Sequence, residues 1–109
     1  MVRSGTGLGG TLTADGNPDT LIDDTTPGDV LDGWVSLENM QSGDSVTIVR
    51  YVKSLSGGNL EQCGPAAVYS GVQGDPVVHF LPATVPQELK ITLQQTAGTY
   101  RNFPYQFYH

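Results

Sequence analysis

The sequence predicts an all-β protein, a single antiparallel β-sandwich of jelly-roll or immunoglobulin-like topology with about eight strands. Three observations lead to this fold. The chain has 109 residues, a length that suits one domain with one core. Its 14 glycines and 7 prolines interrupt it often, as turns between short strands require. Between these turns apolar residues alternate with polar ones, and the spacing typical of amphipathic helices is nearly absent.

The chain divides into two parts near residue 10. Residues 1–10 contain four glycines and little that can be buried. We therefore expect a flexible N-terminal arm, of the kind that becomes ordered when it lies across a neighbouring subunit. Residues 11–109 contain the strand-like runs and are expected to form the β-sandwich domain.

Four strands are predicted in the first half of the chain, at residues 11–14, 20–23, 30–39 and 45–54. The second of them stops before Pro27 and Gly28, which favour a turn. In the third, Val35 and Leu37 share one face, as in a half-buried strand. The fourth is rich in β-branched residues, which favour strands. The short polar loop between the third and the fourth predicts that these two form a β-hairpin.

The second half contains predicted strands at residues 60–63, 66–70, 77–81, 88–95 and 100–108. Gly64 and Pro65 separate the first two, and because proline cannot donate to a ladder, an edge strand or a bulge is predicted there. Residues 77–81 are apolar on both faces, which favours a central strand. Residues 88–95 alternate between apolar and polar side chains, as in a strand with one buried face.

The net charge argues against a polyanionic partner. Eleven acidic and five basic residues give a net charge of -6, which opposes direct binding to nucleic acid. The charge is uneven, because residues 1–45 carry eight acidic residues and one basic residue, and the remainder is slightly basic. Such asymmetry either orients the protein on a partner or another copy of itself, or gives a soluble acidic surface.

The sequence indicates neither a membrane span nor a secretory route. No stretch approaches the ~18 consecutive apolar residues that a transmembrane helix needs, so no membrane partner is expected. Residues 1–10 lack the apolar segment of a secretory signal. Cys63 is the single cysteine and cannot form an internal disulfide. The chain is therefore expected to be used in the cytoplasm, or to leave the cell within an assembled particle.

No set of residues predicts an enzyme. A nucleophile needs a neighbouring base, and the two histidines are His79, in a predicted strand, and His109, the last residue of the sequence. His79 is interpreted as a residue hydrogen-bonded at the sheet surface. Cys63 is interpreted as a small, partly buried apolar residue and not as a catalytic thiol.

The acidic turns give one weak cation motif. Asp15, Asn17 and Asp19 have the spacing that begins a calcium loop, but threonines stand where an EF-hand needs its glycine and its final acidic ligand. The alternative is that these side chains cap turns, so no metal is predicted and calcium stays a minor candidate. Asp23 and Asp24 point to opposite faces of a strand, which argues against a glycosidase pair formed by these two residues.

Aromatic residues are the main candidates for an interaction surface. Trp34 and the aromatics of residues 100–108 suit a platform on which sugars stack, but aromatics that alternate along a strand more often fill the core or an interface between subunits. In the assembly hypothesis, Trp34 and the strand at residues 100–108 form a contact face, and the apolar residues of the arm join it. The candidate assembly residues are Val2, Leu8, Trp34, Tyr100, Phe103, Tyr105 and Phe107.

The glycine-rich arm and the strand rhythm through residues 37–54 and 89–108 resemble small β-sandwich proteins of virus and phage particles, such as capsid decoration or cement proteins. The resemblance implies a non-enzymatic protein that sits at symmetry positions of a capsid as a homotrimer. Its arm would contact the capsid or another copy of the chain. It also implies assembly in the host cytoplasm and a final place on the virion exterior, which suits the acidic charge.

Two hypotheses therefore follow from the sequence. The first is a structural protein that stabilises a larger particle by burying apolar surface at subunit contacts. The second is a carbohydrate-binding β-sandwich module, in which exposed aromatic rings stack on sugar and the acidic turns hold calcium. Exposure of Trp34 and Tyr105 separates the two, because buried rings cannot stack on sugar.

Overall fold

The structure is a computed structural model that describes residues 7–109. It confirms the all-β prediction, with two antiparallel sheets packed as a sandwich. The described strands are β1 (Gly7–Thr13), β2 (Asp19–Asp24), β3 (Val30–Ser36), β4 (Ser45–Lys53), β5 (Glu61–Gln62), β6 (Ala67–Ser70), β7 (Val77–Thr84), β8 (Glu88–Ala97) and β9 (Asn102–Tyr108). Predicted residues 60–63 and 66–70 become the short strands β5 and β6, which pair side by side along one partner, β4.

The strand pairing selects the jelly roll over the immunoglobulin-like alternative. The chain forms nested antiparallel pairs: β1 with β9, β2 with β8, β3 with β7, and β4 with β5 and β6. This ribbon of pairs wraps so that β3 also meets β9 and β4 also meets β8. The first sheet therefore has the order β1-β9-β3-β7, and the second has the order β2-β8-β4-β5, with β6 also on β4. Nested pairs of this kind, folded into two sheets, define a jelly roll.

The core lies between the two sheets and confirms the predicted alternation. On β4, Val46 and Ile48 are buried, and on β8 the same is true of Leu89, Ile91 and Leu93. Each of these residues points inward because successive side chains of a strand alternate between its faces. The remaining buried apolar residues are Leu12, Ala14, Leu21, Ile22, Leu31, Val35, Leu37, Met40, Val85, Phe103 and Phe107.

The predicted hairpin between residues 30–39 and 45–54 is wrong, because β3 and β4 belong to different sheets. β3 ends at Ser36, and the chain then crosses from one sheet to the other through a turn. Leu37 and Met40 in this crossing are fully buried and close one end of the sandwich. Their burial explains the crossing, since a polar hairpin turn would leave both side chains in water.

The prediction that residues 77–81 form a central strand is also wrong. β7 is the edge strand of the first sheet, so its outward apolar side chains are exposed. Pro82 fits this position, because proline within a sheet is confined to edges and bulges. The register of the β3–β7 pair shifts at this point, which gives a bulge. The edge prediction for the region around Gly64 and Pro65 is confirmed by β5 and β6.

The domain begins earlier than the sequence indicated. β1 starts at Gly7, so residues 7–10, which were expected in the arm, are strand residues paired with β9. Residues 1–6, the rest of the predicted arm, lie outside the described residues.

A buried polar network joins the β3–β4 and β8–β9 loops. The Asp44 carboxylate is buried and accepts hydrogen bonds from Nε of Arg101 and from the backbone N–H of Gln41, each at 2.8 Å. Gln95 is buried beside it, donates to the carbonyls of Ala97 and Thr99, and accepts from the backbone N–H of Arg101. These bonds satisfy loop backbone groups that packing would otherwise leave without partners.

Glycine is required at one position of this network. Gly98 has a φ of +88°, and a Cβ added there would collide with the Asp44 side chain. The backbone conformation and the close approach therefore both exclude a larger residue. The β8–β9 turn is shaped around the buried carboxylate.

We expect Asp44→Ala to lower the free energy of unfolding by about 3 kcal/mol, because it leaves buried donors without an acceptor. Urea denaturation followed by circular dichroism measures the change. Asp75→Ala is the matched control, since Asp75 is exposed in the loop before β7, and it should stay near wild type. Equal effects of the two substitutions would contradict the structural role of Asp44.

The same carboxylate predicts a pH dependence of stability. The hydrogen bonds from Arg101 and from the Gln41 backbone hold the pKa of Asp44 below its usual value. Its stabilising contribution is therefore complete above the unfolded pKa of about 3.9 and is lost as the pH falls through the lower folded value. The difference in unfolding free energy between wild type and Asp44→Asn should narrow below about pH 4. Denaturation at a series of pH values measures it, and a difference independent of pH would disprove the assignment.

Candidate functional site

The two long sides of the sandwich differ. On one side, the edge strands β1 and β2 contact each other and cover the core. On the other side, β7 and β6 stand apart, and a groove of about 270 Å³ runs between them. We call this the open side. Its lining residues are Ile48, Arg50, Pro65, Ala67, Tyr69, Val78, His79, Phe80 and Leu81.

The groove exposes part of the core. Tyr69, Val78 and Phe80 pack against the buried core but are themselves only half-buried, because no strand within residues 7–109 covers them from outside. Arg50, from the inner face of β4, brings a positive charge into this apolar surface. A smaller cavity of about 10 Å³ lies deeper, between Leu31, Phe80, Leu89 and Phe107. It has room for one water molecule at most.

The strands that border the groove carry large exposed apolar side chains. Val77 and Leu81 of β7 are 53% and 72% exposed, and Val68 of β6 is 64% exposed. The β7 bulge at Leu81 and Pro82 turns the leucine side chain out beside the groove. Because β7 is an edge strand, its outer backbone groups are available to another chain. The open side combines apolar surface with a strand edge, the properties of a protein–protein contact.

Trp34 lies on the outer face of the first sheet, next to this edge. It is 45% exposed, and its ring stacks on that of His79, with centroids 3.9 Å apart and planes 19° apart. The two residues are directly opposite each other in the β3–β7 pair. A shallow depression of about 220 Å³ adjoins the indole and is lined by Trp34, Ser36, Val77, Pro104, Tyr105 and Gln106.

The structure separates the predicted assembly residues. Phe103 and Phe107 are fully buried between the sheets, so the expectation that they lie on an exposed face is not met. The alternation placed them on one face of β9 correctly, but that face points into the core. Tyr105 shares this inward face and is half-buried.

The other predicted assembly residues are scattered. Leu8 is 38% exposed and lies opposite Phe107 in the β1–β9 pair. Tyr100 is 55% exposed in the β8–β9 loop. Val2 lies outside the described residues. Among the candidate residues that the structure describes, Trp34 is thus the one that adjoins the open side.

The calcium candidates form a turn. The Asp15 carboxylate accepts the backbone N–H of Asn17 at 2.9 Å, which is the capping geometry offered as the alternative. The pKa of Asp15 is lowered by this bond. Burial and the neighbouring Asp15 carboxylate raise the pKa of Asp19. The two carboxyl groups thus interact with each other, and Asn17 contributes its backbone to the turn.

The remaining candidates differ in part from their interpretations. Cys63 is exposed and not partly buried. His79 does lie at the sheet surface, but the contact that holds it is the Trp34 ring stack. The open side was not predicted from the sequence, because the apolar residues 77–81 suggested a strand covered on both faces. Pro82 directly after it is the signal that pointed to an edge.

Comparison with known proteins identifies no relative. No protein-family model matches the chain, nor does any curated protein or solved structure.

Within residues 7–109, no helix has the length and apolar character needed to cross a membrane.

Proposed function

We propose that this protein is a non-enzymatic structural subunit that stabilises a larger particle, as capsid decoration and cement proteins do. Neighbouring copies of the chain would associate through the open side. The uncovered groove between β7 and β6 is the observation that carries this proposal. A jelly roll alone does not decide the function, since the fold occurs in both viral capsid and sugar-binding domains.

The energetic argument rests on surface that one molecule leaves exposed. Covering Val77, Leu81 and the half-buried groove residues would remove apolar area from water, worth about 25 cal/mol per Å² before the costs of association. A strand added to the edge of β7 would also use its outer backbone groups. A neighbouring chain would therefore cover the exposed apolar side chains of the groove and form hydrogen bonds with the outer backbone groups of β7.

Electrostatics favour another copy of the chain as the neighbour. Arg50 lies in the groove, and it makes no salt bridge with any residue from 7 to 109. Residues 1–45 of each copy carry eight of the eleven acidic residues. A head-to-tail contact would place this acidic part of one copy near Arg50 of the next. Head-to-tail contacts close into rings when the rotation permits, and a homotrimer on a capsid is one such ring.

The proposal predicts that Leu81→Lys abolishes self-association, because it places a charge at the groove. Leu55→Lys is a matched control, since Leu55 is 74% exposed in the turn after β4 and does not line the groove. Sedimentation velocity over a wide range of protein concentration measures the oligomeric state. Wild type and Leu55→Lys should form the same closed oligomer, and Leu81→Lys should remain monomeric.

Two results would count against the proposed assembly. One is a wild-type protein that stays monomeric at every concentration. The other is a Leu81→Lys variant that associates as readily as Leu55→Lys.

The predicted arm is tested separately by deleting residues 1–6. A deletion of residues 1–10 would also remove part of β1, whereas the shorter deletion leaves this strand complete.

A carbohydrate-binding module is the second candidate, and the exposure of Trp34 favours it. The indole lies on a sheet face beside a shallow depression, with His79 holding its orientation through the ring stack. Exposed, oriented aromatic rings are what sugar faces stack on. Tyr105 offers less surface for stacking on sugar than the carbohydrate hypothesis expects, because it is half-buried and belongs to the inward face of β9.

If this module binds sugar, titration with neutral oligosaccharides should change the intrinsic fluorescence, since Trp34 is the single tryptophan. His79→Ala should weaken the binding by freeing the indole, and Val72→Ala, an exposed apolar position outside the depression, should not. Isothermal titration calorimetry provides a readout that does not depend on the fluorophore. An unchanged spectrum together with no heat of binding would dispose of the carbohydrate hypothesis.

A further inference from the structure

Three potential metal ligands converge at one end of the sandwich. Asp24 is the last residue of β2, Asp29 lies just before β3, and His109 follows β9. One ligand atom from each residue lies within 4.8 Å of the others. The Nδ1 atom of His109 and the Oδ2 atom of Asp29 are 3.1 Å apart. Ligands 85 positions apart in sequence thus meet at a single point.

The loop that carries the two carboxylates is held by its own hydrogen bonds. The backbone N–H of Thr26 donates to Oδ1 of Asp24, and that of Asp29 donates to the Thr26 carbonyl. Gly28 and Asp29 are also bonded to Val85, in the β7–β8 loop, through backbone contacts of 2.8 Å. The positions of the carboxylates are therefore fixed by backbone geometry, which lowers the cost of organising a metal site.

A buried oxygen of Asp24 points to a cation independently of the clustering of the three side chains. Asp24 is 8% exposed, and its Oδ2 atom is buried with no hydrogen-bond partner among the described residues. A buried carboxylate oxygen without a donor is costly, and such oxygens are commonly satisfied by a cation.

We propose that Asp24, Asp29 and His109 form a binding site for a divalent transition-metal ion of the zinc class. Zinc accepts carboxylate oxygen and imidazole nitrogen together, whereas calcium and magnesium prefer oxygen alone. Tetrahedral zinc ligands at about 2.0–2.1 Å lie about 3.3 Å from one another, close to the separation of the His109 and Asp29 atoms. Water would complete the fourth position.

The local electrostatics agree with this geometry. Burial and the neighbouring Asp29 carboxyl group raise the pKa of Asp24 above its usual value, although the hydrogen bond from the Thr26 backbone and the nearby His109 act to lower it. A dication beside the two carboxylates would offset the cost of burying the Asp24 carboxylate. The ion would link the β2–β3 loop to the end of β9. Because it would bind only the folded chain, it would raise the free energy of unfolding as the zinc concentration rises.

Isothermal titration of the metal-free, full-length protein with zinc chloride tests the proposal, using protein purified without a polyhistidine tag. We expect one zinc ion per chain and a rise in melting temperature on saturation. Asp24→Asn, which can keep the hydrogen bond from Thr26, and His109→Ala should each weaken binding at least about tenfold. Circular dichroism checks that both variants fold. Calcium chloride should bind much more weakly than zinc.

Matched controls separate this site from surface zinc binding. His79→Gln and Cys63→Ser remove the other imidazole and the thiol, and Asp15→Asn alters the other acidic turn; all three should bind zinc as wild type does. The proposal is overturned if wild type does not bind zinc. It is also overturned if His79→Gln or Cys63→Ser abolishes binding, or if Asp24→Asn and His109→Ala both leave it unchanged. These results are independent of the assembly proposal, which concerns the open side.

Discussion

Antiparallel pairing of β4 with β8 is the interaction on which the rest of the structure depends. These are the longest strands described, and the pair runs from Ser45 opposite Ala97 to Lys53 opposite Glu88. Their inward side chains supply Val46, Ile48, Leu89, Ile91 and Leu93 to the core. β2, β5 and β6 extend the sheet from this pair, and the first sheet packs across it. The remaining strands can bury apolar side chains because this central pair offers a largely apolar face to pack against.

Wrapping a ribbon of paired strands leaves the two long sides unequal. The end of the ribbon that holds β1 and β2 closes over the core, while the end with β7 and β6 leaves a groove. A monomer with this arrangement keeps apolar side chains in water at the edge, next to unpaired backbone groups. The same geometry therefore makes this edge a liability for the isolated chain, and it is the surface through which the proposed assembly would form. Trp34, on the adjacent sheet face, extends the surface.

Two buried carboxylates illustrate how environment sets the role of a residue type. Asp44 receives hydrogen bonds from Arg101 and from backbone N–H groups, so its charge is stabilised and it organises two loops. Asp24 is also buried, but one of its oxygens has no donor among residues 7–109, and its neighbours include a second carboxylate. The hydrogen bonds that the Asp44 carboxylate needs are all supplied by the folded chain. The Asp24 arrangement leaves a buried carboxylate oxygen that no described residue satisfies, as expected for a cation site.

The sequence by itself determined the fold class, most strand positions and which face each alternating residue shares, because turn residues and a period of two are local properties. It did not determine that Phe103 and Phe107 face the core, that residues 77–81 lie at an edge, or that Asp24, Asp29 and His109 meet. Alternation shows that residues share a face but not whether another sheet covers it. Only the tertiary structure decided these points, since strand neighbours in a jelly roll are set by pairing between distant parts of the chain.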